Sequence, residues 1–199
     1  MHHLLLSVAV VVAAYLCGAL PTGVWAAGRA GVDVRRAGSG NIGATNVART
    51  AGRHAALLTL GGDIVKGLIP VLVARCLSLP PWALASVGLA AVLGHVFSVF
   101  LHFSGGKGVA TACGAFLGIA PLAMVVALVS FAAIAATTRY VSLASVTAAL
   151  VLPVAGVAFG YAAPVCSGAI LVAMVVVIRH RDNLSRLWHG TEPKFQIRR

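Results

Sequence analysis

Long apolar runs constrain this chain before anything else does. A membrane-spanning helix needs about 20 predominantly apolar residues, each rising about 1.5 Å. Leu4 to Ala27, Ala55 to Leu77 and Ala83 to Leu101 read as spans, followed by Val109 to Ala136, Val141 to Phe159 and Ala163 to Ile178. Gly61, Gly62, Asp63 and Lys66 interrupt the second run, and Gly118 and Pro121 break the fourth. Of the 199 residues 60% are hydrophobic and only 10% charged, against a globular norm of about 45 to 50% apolar and about 25% charged. That excludes an ordinary soluble domain and predicts an all-α polytopic membrane protein, one domain over residues 1–199.

The first run lacks a Lys or Arg ahead of it and exceeds the about 7 to 15 residues of a secretory h-region, so it reads as a retained span. Cys17, Cys76, Cys113 and Cys166 stand singly, with no CxxC and no zinc spacing; they read as small packing residues. Fifteen Lys and Arg face four Asp and Glu, a formal charge of +11. No separate polar domain carries that charge, so nucleic acid is not the expected partner. Membrane orientation and an anionic substrate explain it better.

Charge placement also fixes the crossing number. Cytoplasmic segments carry the excess Lys and Arg, and the richest segments are Gly28 to His54, with five, and the tail from Arg179, with six. An even number of crossings must separate them, which requires the Val109 to Ala136 run to split near Pro121. Seven spanning helices result, with the N-terminus outside and the C-terminus inside. Thirteen of the fifteen cations then lie inside, leaving Arg75 outside and Lys66 within a span. The split makes Val109 to Ala120 a short helix of about 18 Å in a hydrocarbon core of about 30 Å. Its start must be sunk below the surface, where irregular backbone is tolerated only if protein buries it or it lines a cavity. The Gly105-Gly106-Lys107-Gly108 turn occupies that place, at a helix N-terminus that favours an anion.

Three segments could carry chemistry. Gly38-Ser39-Gly40-Asn41-Ile42-Gly43-Ala44-Thr45-Asn46, ending in Arg49, contains G-x-G-x-x-G, but no strand precedes it, so it is no dinucleotide fingerprint. Its glycines, its polar Ser39, Asn41, Thr45 and Asn46, and the planar fork of Arg49 suit a phosphate; a flexible basic loop is the competing reading. In Ser104 to Thr111 Gly108 follows Lys107, so the segment is not a Walker A loop. A cation at that depth marks function unless it merely snorkels. The tail Arg179 to Glu192 places His180 and Asn183 three residues apart, hence on one helix face, although alone it would read as a basic anchor on acidic lipid. Asp63 and Lys66 share that spacing inside a span and read as a mutually neutralising pair, with a catalytic role as the alternative. His95 reads as a packing or supporting residue. No paired-carboxylate metal site, Ser/His/Asp triad or cofactor motif is present, so neither metal nor cofactor is expected.

Together GSGNIGATNVAR (Gly38 to Arg49), DIVKGLIP (Asp63 to Pro70), LGH (Leu93 to His95), GGKGVAT (Gly105 to Thr111), RYVSLAS (Arg139 to Ser145) and RHRDNLSRLWHGTE (Arg179 to Glu192) resemble the bacterial membrane-integral glycerol-3-phosphate acyltransferases that use acyl phosphate. The order and spacing match over nearly the whole chain. The resemblance implies seven spans in the bacterial inner membrane, with the shared loops cytoplasmic. It implies acyl transfer from acyl phosphate to the 1-hydroxyl of glycerol 3-phosphate, giving lysophosphatidate and inorganic phosphate. On matching positions, Ser39, Arg49, Lys107, His180 and Asn183 form the phosphate and glycerol-phosphate site. Gly38, Gly40, Asn41, Thr45, Asn46, Gly105, Gly106 and Gly108 shape it, and Glu192 supports it. Ser98 stands where this family often has Pro, affecting helix bending only, and Ser104 where a basic residue often precedes GGKG, which leaves more of the binding to Lys107.

Acyl phosphate is a mixed anhydride with a good leaving group, so the task is to hold two anions and align hydroxyl with carbonyl. No residue stands out as a dedicated general base; the hydroxyl proton is expected to pass to a substrate phosphate oxygen, with His180 as the alternative acceptor. A rival class is a transporter or channel for phosphate or a phosphorylated metabolite, although no inverted repeat is evident. A CoA-dependent acyltransferase usually has H-x₄-D, and none of the seven histidines has Asp five residues later.

Overall fold

The computed structural model describes residues 2–195, so the tail cations Arg198 and Arg199 lie outside the described residues. All regular structure among them is helical. Helices α1 (His2–Ala19) and α2 (Thr22–Gly28) form one apolar path broken at Leu20 and Pro21. Proline has no N–H to donate and pushes the residue before it out of helical geometry. A loop then leads to the short α3 (Ala44–Thr50) and the long α4 (Gly52–Cys76). Next come α5 (Pro81–Val96), a 3-10 turn at Val99–Leu101, and α6 (Val109–Ile119). Helices α7 (Pro121–Thr138), α8 (Val141–Ala158), α9 (Ala163–Arg179) and α10 (Arg181–Trp188) complete the chain.

Five helical stretches are long and apolar enough to cross a membrane: Leu4–Gly28, Gly52–Cys76, Pro81–Leu101, Pro121–Thr138 and Val141–Ala158. A sixth arises if α9 and α10, bent by 57°, count as one. Helix α6 is shorter, 11 residues, and Ala120 separates it from α7 with φ −141° and ψ 68°. The apolar run therefore does break beside Pro121.

Where the backbone opens at the Pro21 kink and at the end of α6, polar side chains supply the missing donors, as a medium without water requires. At the Pro21 kink, Lys66 Nζ donates to the Leu20 carbonyl at 2.8 Å and Ser98 Oγ to the Ala19 carbonyl at 2.6 Å. Ser98 thus does more than allow bending, because it ties the end of α5 to the kink. At the far end of α6, Arg75 Nη1 donates to the Gly118 carbonyl at 2.7 Å, capping the negative end of the short helix.

Helices pack here through small residues, which let backbones approach where no solvent drives association. A Cβ on Gly67 would lie 2.1 Å from the Thr111 carbonyl oxygen, and one on Gly114 would lie 1.9 Å from that of Ile64. Those reciprocal contacts press α4 against α6. Gly18 against Ala91 and Gly94 against Tyr15 do the same for α1 and α5. The buried core centres on α5 and α6, with Val87, Val92 and Phe116 among its members. The outer surface is apolar: Val129 is 64% and Val154 69% exposed. All four cysteines are free; Cys166 is buried and Cys17 and Cys113 half-buried, whereas Cys76 is exposed at the end of α4 and packs nothing.

The glycine seams predict a contrast. Overpacking costs about 1–3 kcal/mol, so Gly114→Ala should lower the melting temperature in detergent by several degrees. Gly61→Ala on the same helix pair, with nothing within 4 Å of its added methyl, should leave it unchanged.

Candidate active site

The first glycine loop is built around Asn46. Its Oδ1 accepts the Ser39 N–H at 3.0 Å, while Nδ2 lies 3.0 Å from the Ala37 carbonyl, 2.9 Å from that of Asn41 and 3.3 Å from that of Val34. Asn41 Oδ1 in turn accepts the Gly43 N–H at 2.8 Å. The Asn46 side chain is thus spent inside the loop and does not act as a free donor to an anion, whereas Asn41 commits only its acceptor oxygen. A Cβ on Gly38, whose φ is +60°, would fall 2.3 Å from Asn46 Oδ1, so the wrap admits only glycine there. Val34, Ile42 and Val47 fasten the loop to Ala26 and Ala27 of α2. Ser39 and Arg49 remain exposed and Asn41, Thr45 and Gly40 half-buried, which leaves the Ser39 and Thr45 hydroxyls, the Asn41 Nδ2 and the Arg49 guanidinium as the groups this loop can offer.

The second turn is gripped from two sides. Gly105 N–H donates to the Val96 carbonyl at 3.0 Å and Gly106 N–H to the His95 carbonyl at 3.1 Å. Arg179 donates to the carbonyls of the same glycines, Nη2 to Gly105 at 3.2 Å and Nε to Gly106 at 3.3 Å. These two N–H groups hold the turn in place. Gly108, at φ +84°, takes a left-handed conformation that favours glycine and starts α6. The first backbone bond of that helix runs from Ala112 N–H to the Gly108 carbonyl at 2.8 Å. The N–H groups ahead of it, from Lys107 onward, have no backbone acceptor among the described residues, the arrangement that binds anions.

The tail brings the polar groups together. Lys107 Nζ donates to Asn183 Oδ1, and Asn183 Nδ2 donates to Glu192 Oε1 at 2.7 Å. Ser142 Oγ donates to that same oxygen at 2.7 Å, while Arg186 Nε takes Glu192 Oε2 at 2.8 Å. Buried Glu192 is thus the hub of a chain reaching Lys107. His180 does not share a helix with Asn183; it sits at the α9–α10 bend as the cap, with φ −102°. Its Nδ1 lies 2.7 Å from the Val176 carbonyl. A carbonyl only accepts, so Nδ1 carries the proton and Nε2 keeps its lone pair. Arg49 reaches this assembly through the Pro193 carbonyl, 3.3 Å from its Nη2. No direct contact joins Ser39 to Lys107 among the described residues.

The electrostatics follow from burial. Desolvation, with the Arg186 and Arg179 guanidiniums, outweighs Glu192 and pushes the Lys107 ammonium down to about 8. Burial and the Lys107 charge push His180 down to about 4, so it is neutral near pH 7. Burial alone would raise the Glu192 carboxyl, but hydrogen bonds from Asn183, Ser142 and Arg186 hold it below the usual range. The site is therefore cationic, with one carboxylate already committed.

Three participants escaped the sequence reading. Ser142 lies in RYVSLAS, quoted above without a role, and Arg179 and Arg186 looked like topology signals. Asp63 and Lys66 form the neutralising pair, Nζ to Oδ1 at 2.8 Å, with His95 Nδ1 3.5 Å from the same oxygen.

Comparison with known proteins gives concordant results. A family model described as glycerol-3-phosphate acyltransferase matches residues 8–190. A glycerol-3-phosphate acyltransferase of Geobacter sulfurreducens is 52% identical over 92% of this chain and 94% of its own length. One from Geotalea daltonii is 50% identical over 95% and 97%. Among solved structures, PlsY (YgiH), an integral membrane glycerol 3-phosphate acyltransferase in its glycerol 3-phosphate form, superposes with a TM-score of 0.92. It is 40% identical, with 96% of both chains covered. Its lysophosphatidic acid form gives 0.90 at 39% identity, again over 96% of both.

Lys107 makes anion binding pH-dependent. It is charged below about 8 and loses that charge as pH rises through it. A bound anion favours the charged form, which moves the midpoint upward. Sulfate, whose own charge is constant there, should bind progressively more weakly as pH rises from about 8 to the raised midpoint, by at most about tenfold per pH unit for one linked proton, and level off above it. Titration calorimetry in detergent checks this, and Lys107→Arg should flatten the profile.

Proposed function

The chain belongs to the glycerol-3-phosphate acyltransferase family, and on that premise we propose that it draws its acyl group from an acyl phosphate. It is an acyltransferase of phospholipid synthesis that acylates glycerol 3-phosphate. In the proposed reaction the 1-hydroxyl oxygen attacks the acyl carbonyl carbon, the carbon–oxygen bond to phosphate breaks, and the hydroxyl proton goes to a phosphate oxygen. Lysophosphatidate and inorganic phosphate leave. The observation that carries this reading is the meeting of Lys107, at the open N-terminus of α6, with Asn183 and the Glu192 hub. Such a site holds and aligns anions, which is what a substrate with its own leaving group needs.

The roles divide accordingly. Lys107, Arg49 and the α6 N-terminus take phosphate oxygens, and Asn183, Ser39 and His180 orient the glycerol phosphate. Glu192, held by Ser142 and Arg186, keeps Asn183 in place. Gly38, Gly40, Asn41, Thr45, Asn46, Gly105, Gly106 and Gly108 set the loop shapes. A phosphate monoester with a second pKa of roughly 6 is a stronger base than His180 at about 4. That difference favours the substrate's own phosphate as proton acceptor.

The protein sits in the bacterial inner membrane as one domain of seven crossings, counting α6, with its N-terminus outside and its active-site loops and C-terminus cytoplasmic. Arg179 touches Gly105 and Gly106, and Arg49 touches Pro193. These contacts support the three motif segments lying on one side, as charge counting requires. Both acyl donor and product keep their chains in surrounding lipid.

Purified protein in detergent, given acyl phosphate and glycerol 3-phosphate, should release lysophosphatidate and inorganic phosphate in equal amounts. Lys107→Met should lower kcat/KM by about 10²–10³-fold, as losing a charge-stabilising donor does. Absence of product, with phosphate flux in proteoliposomes, would instead favour the transporter. His180→Gln should retain the acid limb of the rate profile; loss of that limb with binding intact would make His180 the base.

A further inference from the structure

A buried polar cluster lies behind the site and has no part in the proposed chemistry. Asp63 Oδ1 accepts from Thr22 Oγ1 and from Lys66 Nζ, and Lys66 also donates to the Leu20 carbonyl. That pair is neutral by itself, yet a third titratable side chain, His95, faces the same oxygen with Nδ1 at 3.5 Å. Beyond that approach His95 Nδ1 makes no hydrogen bond among the described residues. In a span an apolar residue would fill this space at lower cost, so the ring's other edge holds the reason for its presence.

That edge supports the Lys107 turn. A Cβ built on Gly106 would meet three atoms first, all of the His95 ring: Nε2 at 2.2 Å, Cε1 at 2.9 Å and Cδ2 at 3.1 Å. The His95 and Val96 carbonyls hold the N–H groups of Gly106 and Gly105. The ring therefore lies flush beneath the turn, and any rotation of it would either strike the Gly106 backbone or leave a gap. Asp63 restricts that rotation from behind.

We propose that His95, oriented by Asp63, is a positioning residue that sets the Gly105-Gly106-Lys107 turn against Asn183. It couples the α4 charge cluster to the anion site without touching substrate. The inference deepens the acyl-transfer reading and rests on it.

The test is steady-state kinetics on the purified full chain. His95→Phe keeps the ring's bulk but loses both nitrogens, and should raise KM for glycerol 3-phosphate at least tenfold with kcat changed less than threefold. His95→Gln, whose amide reaches the Nε2 position, should bring KM to within threefold of the wild type. Asp63→Asn should raise KM in the same sense. Unchanged KM in His95→Phe would overturn the proposal, as would a collapse of kcat at unchanged KM, which means direct chemistry. If His95→Phe does not fold, a double-mutant cycle decides. Gly106→Ala strikes the ring, so adding His95→Ala to it should cost nothing further; additive losses overturn the coupling. Failure of the wild type to form lysophosphatidate would defeat the acyl-transfer reading itself, a distinct result from a normal wild type with indifferent His95 variants.

Discussion

Backbone polar groups without water must find partners inside the protein, and three irregularities of this structure are organised around that requirement. The chain opens at the Pro21 kink, in the turn before α6, and at the α6–α7 break. At each of these three openings a side chain from elsewhere in the chain supplies the missing donor: Lys66 and Ser98, Arg179, and Arg75, respectively. A charge used in this way closes a gap in the backbone and fixes two helices relative to each other. Arg179, counted as an orientation signal, is thus also a fastener, and so are Lys66 and Arg75, the two cations that the inside count leaves over.

The same constraint separates residues that build the site from residues that face its ligand. Asn46 and the amides of Gly105 and Gly106 have the chemistry of anion binders but are consumed in shaping their turns. What remains for a ligand is more strongly charged: Lys107, Arg49, the Ser39 and Thr45 hydroxyls, the Asn41 and Asn183 amides, the neutral edge of His180 and the open helix end. Glu192, the one carboxylate in the cluster, meets three donors and so does not oppose an incoming anion as a free charge would.

Most of the helices were legible because apolar runs of this length admit few other structures, and the break beside Pro121 was legible because crossing parity demanded it. The glycine motifs identified the two turns for a similar reason, since conformations such as that of Gly108 exclude most side chains. The direction of individual hydrogen bonds was not legible. Nothing local distinguishes Asn46, turned inward, from Asn183, turned toward Lys107; the difference lies in neighbours 76 residues apart in sequence for Lys107 and Asn183. Ser142 was hidden because a serine at the start of an apolar helix normally bonds its own backbone, and only the returning tail gives it a carboxylate. His180 was misplaced onto a helix because spacing alone does not reveal a 57° bend.

The shortness of α6 bears on the energetics of handling a lipid. At 11 residues it spans about 17 Å of a hydrocarbon layer about 30 Å thick, so in the proposed topology Lys107 waits well below the headgroup plane. Lifting an acyl chain out of hydrocarbon costs about 0.8 kcal/mol for every methylene exposed to water. An enzyme that lowers its cationic site to the level of the acyl carbonyl avoids most of that extraction. Polar glycerol phosphate makes the descent instead, drawn by charge, and the product already has its chain in lipid when the reaction ends.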